Sequence, residues 1–496
     1  MRPAAAVGLA AGASALLAVA FPPYGWWPLA PVAIALFTWA CRGRRIRVGA
    51  GLGLIFGVVF FGILIRWLAV VGLDAWAALT VYSGAWFALA GAGTAVVTRL
   101  RGWPLWVAVG WVAQEALRDR IPLGGWPWGR LGFSQASSGW VGSAWWGGVP
   151  LLTFLVALAG AVALWAVLYW RRDRRIAAAV LAAAVIAAFV PVPAAGRTEG
   201  SAIVAVIQGD VPATGLGFAT TGERRAVLDN HVTQTLALAE AVSRGDAPQP
   251  DVVVWPENSS DLDPYTNADA RTAISTAARA IEAPVLVGAV ITNPDDPATV
   301  LNVGIVWDPV SGPQERYVKQ HPVPFGEYVP FRPLLTRLIG RFDLVPRDFV
   351  AGSEPGVLPM GPVLIGDIIC FEVAYDEVVR DTVSAGADLL AVQTNNATYT
   401  DGGQSEQQVA MAHIRAVEHG RSTVVAATNG ISAMFLPDGT PVGELPERTA
   451  GWLIQDLPLS TDLSPAARLG GWLELLGLLT AVGAFVLGTR RPPEAR

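Results

Sequence analysis

The chain has 496 residues, 53% of them hydrophobic and 15% charged, with a formal net charge of -5. That is too apolar for a purely soluble enzyme, so a membrane protein is the first expectation. No basic stripe is present to neutralise phosphates, which excludes nucleic acid as a partner.

Crossing about 30 Å of hydrocarbon takes about 20 apolar residues in a helix. The apolar runs predict about eight transmembrane helices, at 4–20, 28–41, 49–71, 76–98, 104–118, 149–170, 176–192 and 469–488. The second and seventh are short and fit a tilted or re-entrant piece as well. The first ends in Ala18-Val19-Ala20 and also reads as a cleavable signal peptide, which leaves the orientation downstream unchanged.

Arginines gather in alternate loops: Arg42, Arg44, Arg45 and Arg47, then Arg99 and Arg101, then Arg171, Arg172, Arg174 and Arg175, and finally Arg490, Arg491 and Arg496. Basic short loops stay cytoplasmic. Both termini are therefore expected inside, and the more polar stretch at 200–460 outside the cytoplasm. The organisation expected is a membrane part at 1–195, a catalytic domain at 200–460 and a last helix at 469–488.

An outward loop between the fifth and sixth segments carries Trp126, Trp128, Phe133, Trp140, Trp145 and Trp146 among many glycines. Such aromatics favour the headgroup level. Anchoring is one reading; lining the path of a lipid substrate is the other. Glu115 and Arg118 are three apart and can pair on one helix face.

From Ser201 the pattern changes to short β-rich runs. Strands are expected at Ala202–Gln208, Val252–Trp255, Pro284–Ile291, Asn302–Trp307, Val363–Ile369, Leu389–Gln393 and Val424–Ala427, with helices at 222–243, 267–281, 374–385 and 404–419. This alternation implies a layered α/β domain. Phe331, Leu334, Leu335, Leu338, Ile339 and Phe342 share one helix face, which suits either a packed core helix or an arm resting on the bilayer.

Lys319 is the only lysine; the other 34 of the 35 basic residues are arginine. A compact ammonium fits a tight pocket that a guanidinium fork does not. Cys370 and Cys41 are the only cysteines and lie far apart, so neither a disulfide nor a CxxC metal site is expected. The four histidines make no HExxH, and no GxSxG elbow occurs, which argues against a zinc hydrolase or a serine esterase. Neither a metal nor a cofactor is called for. Glu257, Lys319 and Cys370 each follow an apolar run, and a carboxylate, a cation and a thiol can fill the base, oxyanion and nucleophile roles of acyl transfer. On this reading the lysine lowers the pKa of the thiol.

The residues WPE at 255–257, the lysine before HPVPFGEYVP, and GDIICFE at 366–372 resemble the nitrilase (carbon-nitrogen hydrolase) superfamily. In that order, with eight membrane segments and the run GGWPWGRLGFSQ at 124–135, the whole chain is similar to the apolipoprotein N-acyltransferase family. The resemblance implies an extracytoplasmic nitrilase-like αββα sandwich on a plasma-membrane helical bundle. It also implies a ping-pong reaction. A phospholipid acyl donor acylates the cysteine as a thioester, which then acylates the N-terminal amine of a diacylglyceryl-modified apolipoprotein.

Carried over by position, Glu257 is the general base, Lys319 the oxyanion-stabilising cation and Cys370 the nucleophile. Glu327 is expected to orient the lysine or amine, and Glu372 to hold the loop after the nucleophile. Phe371, Trp126 and Trp128 are the candidate substrate contacts. Two departures stand out: Phe371 occupies a position where the family usually has tyrosine, and an aromatic after the first strand is displaced to about Phe218. The alternatives are a membrane-tethered amidase acting on a small amide, or a non-catalytic scaffold or transporter in which Lys319 and Cys370 are accidental.

Overall fold

A computed structural model describes residues 1–170, 175, 178, 198–211, 221–338 and 347–491 of the chain. They form two compact units: Met1–Pro193 with Gly402–Ala410 and Ser464–Arg496, and Ala194–Asp401 with Met411–Leu463.

The first unit is helical. Five helical stretches among the described residues are long and apolar enough to cross a membrane: Pro3–Ala20, Ile46–Leu64, Leu73–Val97, Val141–Tyr169 and Trp472–Thr489. The count differs from the eight expected for identifiable reasons. Leu29–Cys41 forms a helix of 13 residues, and Trp103–Arg118 one of 16 that carries buried Glu115 and Arg118. Both are shorter than the hydrocarbon thickness requires. The segment at 176–192 lies outside the described residues, as do Phe218 and most of the far half of 331–342.

Close helix packing in this unit depends on small residues. A Cβ on Gly53 would sit 2.0 Å from the Phe87 carbonyl oxygen, so only glycine lets these two backbones approach. At one end of the unit the arginine loops converge: Arg44 donates to the Met1 carbonyl at 2.8 Å, and Arg99 donates to the carbonyls of Arg44 and Arg491 at 3.2 and 3.3 Å. Loops distant in sequence are thus neighbours in space.

Two expectations about the loop after Trp103–Arg118 are corrected. Glu115 does not pair with Arg118. Its oxygens accept from Leu131 N and Thr153 Oγ1, each at 2.7 Å, and face Arg130 at 3.7 Å. Arg118 instead binds the Trp128 carbonyl and lies 3.7 Å from Asp119. The loop folds back and brings its own polar groups to the helix, where buried charges need partners.

The tryptophan-rich loop also does not spread its aromatics at the surface. Trp128, Phe133 and Trp140 are buried, whereas Trp146 is exposed. Trp128 donates to Gln407 Oε1 at 2.7 Å, Trp67 donates to the same oxygen at 3.3 Å, and Gln407 Nε2 donates to the carbonyls of Pro22 and Leu64 at 3.2 and 3.1 Å. An indole with an internal acceptor has no need of the headgroup region.

The second unit is an αββα sandwich. One six-stranded sheet has the order β12-β1-β2-β3-β4-β5 and the other β11-β10-β9-β8-β7-β6. The strands are β1 (Thr198–Gln208), β2 (Val252–Val254), β3 (Val285–Thr292), β4 (Val300–Asp308), β5 (Gly312–Val318), β6 (Val357–Met360), β7 (Val363–Ile369), β8 (Leu389–Thr394), β9 (Ser422–Ala427), β10 (Ser432–Phe435), β11 (Pro441–Leu445) and β12 (Gly451–Ser460). In each sheet three central strands run parallel, β1-β2-β3 and β7-β8-β9, flanked by antiparallel partners.

Side chains that alternate along a strand point to opposite faces. Val204, Val206, Val254 and Leu286 therefore meet Ile365, Ile369, Leu389 and Val424 between the sheets. Ala205, Ile207, Val253 and Val287 turn the other way and pack on the helix Ala268–Ile281 through Ile274, Ala277 and Ile281. Strands buried on both faces read as continuous apolar runs, which is why the sequence marks the central strands clearly. The flanking strands β5, β6, β10, β11 and β12 lack such runs and were not expected.

Candidate active site

Three strand ends assemble the site. Glu257 follows β2 through Trp255 and Pro256, Lys319 follows β5 directly, and Cys370 follows β7 directly. Parallel strands deliver their C-terminal ends to one edge of a sheet, where loops can gather functional groups. Gly288 on β3 makes room for the first of these. A Cβ there would lie 2.2 Å from the Pro256 carbonyl oxygen and 2.7 Å from the Glu257 Cα.

The Lys319 ammonium lies 2.9 Å from Glu257 Oε1 and 3.0 Å from Glu327 Oε1. Lys319 is 1% exposed and Glu257 4%, so water screens neither charge. Burial by itself lowers the pKa of the lysine; the carboxylates of Glu257 and Glu327 more than offset it and hold the ammonium protonated well above the usual lysine range.

Cys370 adopts a left-handed backbone with φ of 58°, an uncommon conformation for a side chain-bearing residue and one that turns the chain sharply at the strand end. Its Sγ accepts from Thr394 Oγ1 at 3.4 Å. Burial and the Glu257 carboxylate push the thiol up to about 12, with Lys319 and Thr394 acting in the opposite direction. The expected lowering by the lysine is thus present but outweighed. A thiol held up in this way would need a base to take its proton in any reaction at sulfur.

Glu372 is an acceptor hub. Its Oε1 takes hydrogen bonds from Tyr317 Oη, Gln320 N and His321 N at 2.9, 2.6 and 3.1 Å, and its Oε2 takes one from Ile369 N at 2.8 Å. It therefore ties the loop after Lys319 to the strand end before Cys370. Burial raises its carboxyl to about 7 against the opposing pull of Lys319 and the backbone donors. Glu327 Oε2 accepts from Val323 N at 2.6 Å, which fixes that carboxylate within its own turn.

The sequence also matches known proteins. Residues 13–162 match the apolipoprotein N-acyltransferase N-terminal domain, and residues 203–462 match carbon-nitrogen hydrolase. A protein named Apolipoprotein N-acyltransferase from Mycolicibacterium smegmatis is 40% identical across 97% of this chain and 85% of its own. The chain belongs to the apolipoprotein N-acyltransferase family. A relative of the same name from Photobacterium profundum is 28% identical over 98% of this chain and 96% of its own. Among solved structures, an amidase from Nesterenkonia sp. has a TM-score of 0.39 and 21% identity, covering 55% of this chain and 94% of that one. As a member of the apolipoprotein N-acyltransferase family with a carbon-nitrogen hydrolase domain, the chain is an acyltransferase.

In this acyltransferase Phe371 is buried and meets Tyr375 edge-on at 5.2 Å, while His321 stacks on Tyr375 at 4.2 Å. Trp128 is buried in the helical unit; Trp126 is half-buried and stacks on it at 6.0 Å. Sequence reasoning missed Asn302, Thr394 and Asn395. Asn302 lies on β4 within the apolar run VLNVGIVW, and a polar residue in such a fully buried strand demands a partner, a signal open to reading. Asn395 N donates to Glu257 Oε2 at 3.0 Å, a backbone contact without any side-chain signature.

Proposed function

We propose that the chain N-acylates the N-terminal S-diacylglyceryl cysteine of apolipoproteins, taking the acyl group from a phospholipid through a thioester on Cys370. One observation carries the residue assignment: a buried lysine held by two glutamates, both of which act electrostatically on a cysteine at a left-handed strand end. In the first half-reaction Glu257 takes the Sγ proton as sulfur attacks the ester carbonyl. Lys319 stabilises the oxyanion, and the departing lysophospholipid alkoxide receives the proton from Glu257. In the second half-reaction the acceptor amine attacks the thioester, Glu257 takes the amine proton, and the cysteine leaves and regains it.

Glu327 orients Lys319, and Glu372 holds the loop against the nucleophile turn. Phe371 packs that turn in place, and Trp126 is the tryptophan of the stacked pair with surface left to meet an acyl chain. Eight membrane spans with both termini in the cytoplasm and the sandwich on the outer side of the plasma membrane are consistent with the convergence of Arg44, Arg99 and Arg491.

The test is the mass of the Cys370 peptide after the full-length protein is incubated with phospholipid. A hydroxylamine-labile fatty acyl adduct, absent in Cys370→Ala, supports the thioester. An unmodified peptide from folded protein would point to a tethered amidase instead.

A further inference from the structure

The Asn302 side chain occupies a position that the acyl-transfer scheme leaves unused. Its Nδ2 donates to Glu257 Oε1 at 2.8 Å and to Glu327 Oε1 at 2.9 Å. These are the same two oxygens that Lys319 Nζ contacts at 2.9 and 3.0 Å. The four groups close a ring in which two donor-only nitrogens alternate with two carboxylate oxygens. Neither nitrogen can accept, so both oxygens must act as acceptors, and the arrangement suits both carboxylates in their ionised form.

The amide is turned for the benefit of the glutamates. Asn302 is 3% exposed, yet its Oδ1 has no hydrogen-bond partner among the described residues. The opposite orientation would set an oxygen against two carboxylate oxygens, which repels unless a carboxyl is protonated. An asparagine serving only the strand would not leave its acceptor buried and unmet, since an unsatisfied buried acceptor destabilises the fold.

The ring also distinguishes the two oxygens of Glu257. Oε1 accepts from Lys319 and Asn302 and has no lone pair left for a third donor. Among the described residues Oε2 accepts from Asn395 N alone, at 3.0 Å. The residue before Asn395 is Thr394, whose hydroxyl contacts Cys370 Sγ at 3.4 Å. The open lone pair of the base therefore lies on the oxygen served by the same strand end that touches the nucleophile.

We infer that Asn302 is a positioning residue for the acyl transfer: it clamps Glu257 and Glu327 around Lys319 and leaves Oε2 of Glu257 to receive the Cys370 proton. The inference rests on the proposed function. In its balanced form, the Sγ–H bond breaks as the Sγ–acyl bond forms, the proton resides on Oε2, and it then passes to the departing alkoxide. The ring at Oε1 stays intact throughout. The other charged or titratable groups coupled to this ensemble are Asp261, Asp367, Glu372 and Tyr399.

The experiment measures single-turnover thioester formation on full-length protein in phospholipid vesicles from pH 5 to 9, for wild type, Asn302→Ala and the isosteric Asn302→Asp. Thermal unfolding establishes that each variant is folded. The expected result is a fall of about 10–100-fold at neutral pH with the apparent KM for phospholipid unchanged. The low-pH limb of the rate profile should also move to higher pH in both variants. If alanine does not fold, the aspartate variant carries the test. A folded variant that is slower at every pH with its limb unmoved, or as fast as wild type, overturns the inference while the thioester reading stands. A wild-type protein that forms no thioester defeats the proposed function, and the inference with it.

Discussion

Thr394 donates its hydroxyl to the sulfur of Cys370 at 3.4 Å, while the next residue, Asn395, donates its backbone N–H to Glu257 at 3.0 Å. The end of β8 thus touches Cys370 and Glu257 together. Thr394→Val keeps the shape and removes the donor. A single hydrogen bond contributes about 1 kcal/mol, or roughly a fivefold change in rate. Thioester formation by Thr394→Val should slow by about that factor, and an unchanged rate in the mass assay would show that the contact is passive.

Lys319→Arg should not behave as a conservative change. The ammonium sits 2.9 and 3.0 Å from two carboxylate oxygens in a buried position, and a planar fork cannot occupy that space without displacing Glu257 or Glu327. A loss of about 100-fold or more in acyl-transfer rate is expected, in the range for removing an oxyanion-stabilising group. Near-normal turnover in a phospholipid-to-peptide assay would remove Lys319 from the proposed scheme.

Glu372→Gln should act mainly on stability. The carboxylate accepts from Tyr317 and from three backbone N–H groups; a glutamine oxygen replaces one acceptor and its amino group opposes the donors at the other. A loss of about 2–3 kcal/mol is expected, seen as a lower Tm of the detergent-solubilised protein. Tyr317→Phe, which removes one donor, should cost less.

Two histidines, buried His231 and half-buried His413, contribute to an acid limit. Burial holds the imidazoles of His231 and His413 down at about 4, against 6.5 when unhindered. Between these values the unfolded chain binds protons that the folded chain refuses. Their contribution to stability is complete above pH 6.5 and is lost as pH falls towards 4. Tm should decline over that interval, and the doubly substituted His231→Gln, His413→Gln protein should decline less steeply. The difference between the two curves isolates the histidines from carboxyls with raised values, such as Glu372, which act with the opposite sign.

In the helical unit, Gln407→Leu should strand two indole N–H groups. Trp67 and Trp128 both donate to its oxygen at 3.3 and 2.7 Å. An unmet buried donor costs about 1–3 kcal/mol, so a clear drop in Tm is expected, whereas Gln407→Glu, which keeps an acceptor, should lose less. Equal Tm values for the leucine variant and wild type would show that water reaches these indoles.

Much of the protein was legible from local pattern. The apolar runs located the long helices, and continuous runs such as VLIGDII located the strands buried on both faces. A single lysine among arginines and a lone cysteine at a strand end drew attention to Lys319 and Cys370. These signals are local because length, periodicity and side-chain type act over a few adjacent residues. Tertiary structure decided what depends on register and on backbone approaching from elsewhere. It set Asn302 across from Lys319, brought the backbone of Asn395 to Glu257, drew Trp128 inward to Gln407, and surrounded Cys370 so that burial outweighs the lysine. The sequence named the candidate groups; only the pairing of β4 with β5, and the meeting of the strand ends of β2, β7 and β8, determined which donors each oxygen of Glu257 meets, because hydrogen bonds form through space rather than along the chain.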